Sequence, residues 1–154
     1  MIFRRYTLQI ILGFGIILCM AGCSDDVDFT PPAGNTETAI THYSFGKMVI
    51  DDQEHNSDLA ILPGGKVTYW GFDPDSNHIY SKEIIEALIT SKVKDIIIGT
   101  GYNGAASLNT QAKEWVEQIK AKGIQVHILP TSDAVKLFNK TPKKGLLACF
   151  HLNC

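Results

Sequence analysis

Hydrophobic and polar positions follow two different periods along this chain, and the change of period near residue 81 divides it into unlike halves. Beyond that point, Ile84, Ile85, Leu88 and Ile89 recur at helical spacing behind Ser81, a residue type that caps helices. Residues 95–98 then open on Asp95 and continue as the β-branched apolar run Ile96-Ile97-Ile98, which reads as a buried strand and ends in glycines. Trp115, Val116 and Ile119 give a second helical stripe, capped by Asn109 or Thr110 and stopped at Gly123. Residues 124–129 form the next strand, closed by Pro130. A third helix starts at the Thr131-Ser132-Asp133 cap and carries Ala134, Val135, Leu137 and Phe138, and residues 145–150 form a last strand.

The resulting order, α-β-α-β-α-β, predicts a sheet covered by helices with right-handed crossovers between parallel neighbours. The first half has a different texture. Residues 40–50 read as two short strands around Gly46, followed by a polar turn over 51–57. Residues 59–62 then run into Pro63-Gly64-Gly65, a turn signal, and 66–70 leave it as another strand. The fold class expected is therefore α/β: one three-layer domain over 40–154, with a central mixed β-sheet flanked by helices and an extra N-terminal β-hairpin layer.

The chain before residue 40 is unlike either half. Arg4 and Arg5 precede an apolar run over 10–20, too short for a membrane span of roughly 20 residues but the size of a signal-peptide core. Met20-Ala21-Gly22-Cys23 then matches a bacterial lipoprotein signal, with Met in place of the usual Leu. On this reading residues 1–22 are removed, Cys23 is lipidated, and the protein is exported and held to a bacterial membrane on its periplasmic or cell-surface side. Residues 23–39, rich in Asp, Thr, Pro, Gly and Asn, bury too little apolar surface to offset their ordering and are expected to act as a flexible tether.

Charge narrows the partners. Loss of residues 1–22 removes two of the 14 basic side chains and none of the 16 acidic ones, which leaves a net charge of −4. A mildly acidic chain gives no support for nucleic-acid binding, and acyl chains rather than basic residues would hold it to a bilayer.

Three stretches carry candidate chemistry. Gly99, Thr100, Gly101, Tyr102, Asn103 and Gly104 spell G-x-G-x-x-G after a strand. A dinucleotide fingerprint needs the helix to begin inside the glycine run and an acidic residue at the end of the next strand. Here the helix starts late, and no carboxylate follows until Asp133. The loop is retained as a candidate binding surface, in which closely packed backbone or a cradle of amides for a small anion are both open. Asp73, Asp75 and Asn77 imitate the start of a calcium loop, but His78 and Ile84 stand where it needs Gly and Glu, so a self-bonded turn is expected. Cys149, His151 and Cys154 place three metal-ligand types in six residues without a fourth. A Cys149–Cys154 disulfide would require a turn after His151, because an extended run holds the two Cα atoms roughly 16 Å apart. The five histidines form no H-E-x-x-H, and no G-x-S-x-G elbow is present, so no catalytic residue and no cofactor are assigned.

The element order, together with three local sequences, resembles the MTH-type domain family of unknown function, which includes the adipogenesis-associated MTH-domain protein and a mitochondrial NADH dehydrogenase complex I assembly factor. The first is Ser44-Phe45-Gly46-Lys47-Met48 followed by Leu62-Pro63-Gly64-Gly65. The second is Ile97-Ile98-Gly99-Thr100-Gly101. The third pairs Ser132-Asp133-Ala134-Val135-Lys136-Leu137-Phe138-Asn139 with the closing Phe150-His151-Leu152-Asn153-Cys154. Asn153 departs from the Phe-His-x-Thr-Cys ending common in the family. The resemblance implies a three-layer mixed-sheet fold and brings no catalytic residues. Its eukaryotic members look like assembly or regulatory binding proteins. The reading that follows is a lipid-anchored, non-catalytic binding or assembly module with a protein partner. The alternative is an enzyme or small-ligand binder using the same 99–104 loop.

Overall fold

The computed structural model describes residues 26–31, 37–70 and 78–153. Along the chain these form β1 (Val27–Asp28), β2 (Ile40–Ser44), β3 (Lys47–Ile50), β4 (Gln53–His55), β5 (Leu59–Ile61), β6 (Val67–Tyr69), β7 (Ile79–Tyr80), α1 (Lys82–Glu86), β8 (Asp95–Thr100), β9 (Ser107–Leu108), α2 (Thr110–Ala121), β10 (Gln125–Leu129), α3 (Thr131–Lys140) and β11 (Leu146–His151). A 3-10 turn, Lys143–Gly145, leads into β11.

The five-stranded central sheet has the order β10-β8-β11-β5-β6. β8 runs parallel to both β10 and β11, whereas β5 joins β11 antiparallel and β6 folds back on β5. This is the mixed α/β architecture that the alternating periods predict. β8 and β11 are apolar on both faces because both faces are covered, as expected for central strands of a layered sheet. On one side Ile96, Ile98, Leu147 and Cys149 pack with Ile85 of α1 and Ala112, Trp115, Val116 and Ile119 of α2. On the other, Ile97, Ala148 and Phe150 meet Ala134, Val135 and Phe138 of α3 together with Ile40, Tyr43, Met48 and Ile50. Those last four residues belong to a separate four-stranded antiparallel sheet, β1-β2-β3-β4, which provides the expected extra β layer.

Five local expectations are corrected. Residues 51–57 are not all turn, because Gln53–His55 pairs with β3 as β4 after Asp51 and Asp52 turn the chain with positive φ. The helix at Ile84–Ile89 spacing stops at Glu86, and its Ser81 cap is present but the apolar stripe continues as a turn. Between the 99–104 loop and the Asn109 cap, where the hydrophobic pattern marks no element, lies β9, which pairs with β7. Within the stretch read as a tether, Val27–Asp28 pairs with Tyr43 and His42, and Phe29 packs on the core, so apolar side chains there find a surface to cover. Thr131 is the first residue of α3 rather than its cap, and no side chain caps that helix. At the other end of α3, buried Lys143 donates from Nζ to the carbonyls of Phe138 (2.7 Å) and Thr141 (2.6 Å). Burial holds its ammonium below the usual lysine range, while Glu37 opposes that shift. Residues 1–25, 32–36, 71–77 and 154 lie outside the described residues, and with them the Cys23 lipidation signal, the Asp73-x-Asp75-x-Asn77 turn and Cys154.

Candidate functional site

The carboxyl ends of β8, β10 and β11 point to the same pole of the sheet, the position where ligands bind in open α/β folds. There the 99–104 loop turns back over the strand ends. Gly99 belongs to β8, and a Cβ on it would lie 2.8 Å from Thr131 Oγ1 and 3.0 Å from Phe150 Cδ1, so the backbone approach needs glycine. Gly101 and Gly104 have φ of +94° and +69°, a conformation that side chains with a Cβ resist.

Thr131 fastens this loop. Its Oγ1 accepts from the Gly101 amide at 2.9 Å and donates to the His151 carbonyl at 2.8 Å, while its own amide donates to the Gly101 carbonyl at 3.0 Å. One fully buried hydroxyl thus ties the ends of β8 and β11 to the start of α3. Thr100 adds a bond from Oγ1 to the Leu129 carbonyl at 3.0 Å. The Tyr102 amide donates to the Asn153 carbonyl at 3.2 Å, and the Gly104 amide to the Gly101 carbonyl at 3.3 Å. The amides of Gly101, Tyr102 and Gly104 are therefore occupied by internal acceptors. Asn103 is exposed and Tyr102 half-buried, its ring edge-on to exposed Phe45 at 6.2 Å.

A second group of side chains stands beside the loop. Asp58 accepts the Leu152 amide on Oδ1 at 2.9 Å and holds His151 Nδ1 against Oδ2 at 2.7 Å. His78, with φ of +65°, places its ring 5.1 Å from that of His151. The Tyr80 hydroxyl donates to the Gly99 carbonyl at 2.8 Å, and the Tyr80 ring stacks on Trp70. Burial, reinforced by the nearby Cys149 and Asp58, holds the Tyr80 phenol well above its ordinary range, so it remains a neutral donor.

Two members of the weak metal set, Cys149 and His151, lie within the described residues. Cys149 and His151 do share a strand face, as their spacing predicts. Burial pushes the Cys149 thiol far up, away from the thiolate that metal binding or nucleophilic attack requires. Asp58 occupies Nδ1 of His151, and among the described residues no three His, Cys, Asp or Glu side chains are grouped to hold a metal ion. The sequence reading missed Asp58, which stands alone between a polar turn and a strand, and it assigned Thr131 to a cap. Neither role has a local signal.

Several solved structures are similar to this chain over three quarters of its length or more. The conserved hypothetical protein PH1505 from Pyrococcus horikoshii OT3 is 28% identical, with a TM-score of 0.65 over 75% of this chain and 98% of its own. An outer membrane protein from Bartonella henselae, 19% identical, matches at a TM-score of 0.59 over 77% and 97% of the two chains. A Bordetella pertussis protein described as a Mth938-like domain matches at 0.57 with 13% identity over 82% and 93%. A family model, "Protein of unknown function (DUF498/DUF598)", matches residues 40–150, a stretch that runs from β2 into β11 and takes in α1, α2, α3 and the 99–104 loop. The chain belongs to the DUF498/DUF598 family, which shares the Mth938-like fold.

Proposed function

We propose that this protein is a lipid-anchored, non-catalytic binding or assembly module whose contact surface is the 99–104 loop. The observation that supports this reading is the occupation of the loop amides by Thr131, Asn153 and Gly101 itself. A loop whose amides are taken is a poor anion cradle, but it is a stiff platform that presents the side chains of Asn103 and Tyr102 to a partner. Attachment through Cys23 rests on the Arg4-Arg5, apolar and Cys23 pattern of the first 23 residues. Among the described residues no helix is long and apolar enough to cross a membrane, so attachment would come from the residues before 26. One fold relative is an outer membrane protein, which agrees with a membrane address.

Native mass spectrometry of the protein purified from its own membranes tests both parts. The expected result is a chain that starts at Cys23 with acyl mass and a retained companion protein. Asn103→Arg, an exposed change, is expected to release the companion while leaving the unfolding temperature within error of wild type. Absence of any companion, or a companion retained by the variant, overturns the binding surface. An unmodified chain beginning at Met1 overturns the anchor.

One observation favours the small-ligand or enzyme reading. The Asp58–His151 pair, with Tyr80 and His78 beside it, lies at the carboxyl ends of β8 and β11. Saturable shifts of the His78 and His151 ring resonances, together with protection of the 100–104 amides by inorganic phosphate or a nucleotide, would support it. An unchanged spectrum across such a panel would count against it.

A further inference from the structure

We infer that this domain sits on its bilayer with the β2–β3 hairpin tip downward, so that Phe45 enters the lipid interface beside the anchor. The inference rests on the anchored reading above and adds an orientation to it. Phe45 stands at the turn between β2 and β3, 62% exposed, with the edge of the Tyr102 ring behind it. An exposed aromatic side chain at a hairpin tip is the kind of group that settles at the headgroup level of a membrane.

The path of the chain selects lipid as its occupant. β1 runs antiparallel to β2, with Val27 across from Tyr43 and Asp28 across from His42. That register directs Asp26 toward Ser44, one residue from Phe45. From Asp26 back to Cys23 are three residues, a reach of about 11 Å at full extension. An acylated Cys23 therefore brings the bilayer surface to the hairpin tip.

The opposite pole suits water better. Lys92, Lys94 and Lys144 surround an open groove there, at the amino ends of β8 and β11. The five residue steps of β8 separate the two poles by roughly 17 Å. At the membrane pole Asp28 is exposed beside His42, so an uncharged headgroup layer is the better match than an anionic one. In this orientation Asn103 stands near the headgroups, and a partner bound there lies in or on the same bilayer.

The test uses the full protein extracted from its own membranes and reconstituted in vesicles of phosphatidylcholine, with and without brominated acyl chains. Phe45→Trp and Lys144→Trp are compared with the wild type, whose Trp70 and Trp115 set the background. Phe45→Trp is expected to add a blue-shifted emission that brominated chains quench, and Lys144→Trp to add one that they do not. Flotation with the vesicles and the intact acyl mass report the anchor separately. Flotation without extra quenching at position 45, or equal quenching at 45 and 144, overturns the orientation and leaves the anchor standing. Failure to float overturns the anchored reading and this inference together.

Discussion

Asp58 and His151, 93 residues apart, are joined at 2.7 Å, and the other oxygen of the same carboxylate holds the amide of the next residue, Leu152, at 2.9 Å. Both partners are almost buried: the side chains are 11% and 3% exposed. One carboxylate thus fixes the exit of β11 against the entry to β5. Asp58→Ala leaves a buried imidazole and a buried amide without this acceptor, and the expected cost is about 2–3 kcal/mol in urea unfolding. Asp58→Asn keeps an acceptor for Leu152 and is expected to cost about 1 kcal/mol. Equal stability of Asp58→Ala and wild type would show that the pair contributes no net stability and is kept for another reason.

Thr131→Val preserves shape but removes the hydroxyl between the Gly101 amide and the His151 carbonyl. A loss of about 1–3 kcal/mol is expected, because both groups remain buried. Hydrogen exchange at the Gly101 amide should accelerate in this variant, and Thr131→Ser should restore most of the protection. If Thr131 acted as a helix cap instead, exchange would rise in the first turn of α3 and not at Gly101.

Gly99→Ala puts a methyl group 2.8 Å from Thr131 Oγ1 and 3.0 Å from Phe150 Cδ1. Overpacking of this kind costs about 1–3 kcal/mol. The strain should appear as chemical-shift changes at Phe150 and Thr131, with Gly123→Ala as the contrast. Gly123 has open space around its Cβ position, so only its φ of +88° resists the change there.

Stability should fall at alkaline pH through Tyr80. The unfolded tyrosine releases its proton near pH 10, whereas burial keeps the folded phenol protonated to higher pH. Above about pH 10 the folded state therefore binds more protons than the unfolded state, and unfolding becomes easier as pH rises through that window. Tyr80→Phe is expected to flatten the slope above pH 10 in denaturant titrations while costing about 1 kcal/mol at neutral pH from the lost bond to the Gly99 carbonyl. An unchanged slope would show that other groups carry the alkaline loss.

Cys149 should resist thiol reagents in the native protein. It is fully buried on the face packed with α1 and α2, and burial disfavours its thiolate. Iodoacetamide is expected to modify it at neutral pH only after denaturation, with peptide mass spectrometry separating it from Cys154. Fast native labelling at Cys149 would return it to the list of reactive or metal-binding candidates.

Most elements of the α/β half were legible from local pattern. Asn109 caps α2 by accepting the Ala112 amide at 2.8 Å, and the β-branched run 96–98 is a central strand, both as the residue types predict. Short elements were not. α1 has the apolar spacing of a longer helix, but the chain leaves it after Glu86, and the two-residue strands β7 and β9 exist only because they pair with each other. The 99–104 loop was recognisable as a glycine loop ill-suited to a dinucleotide, yet its amides had no visible acceptors. Those acceptors are Thr131 and Asn153, 30 and 51 residues beyond the amides they receive.

The sequence by itself determined the period of each main element, the cap at Ser81, a cap at either Asn109 or Thr110, and the glycines that the β8 turn requires. Each of these depends on neighbours within a few residues, through helical spacing, an oxygen beside free amides, or the absence of a Cβ. Only the tertiary structure decided that β5 and β6 extend the central sheet, that Thr131 turns inward, and that Asp58 meets His151 beside Tyr80. Those outcomes depend on which surfaces close over one another. A carboxylate or hydroxyl distant in sequence acquires its role only when burial removes water as its alternative partner.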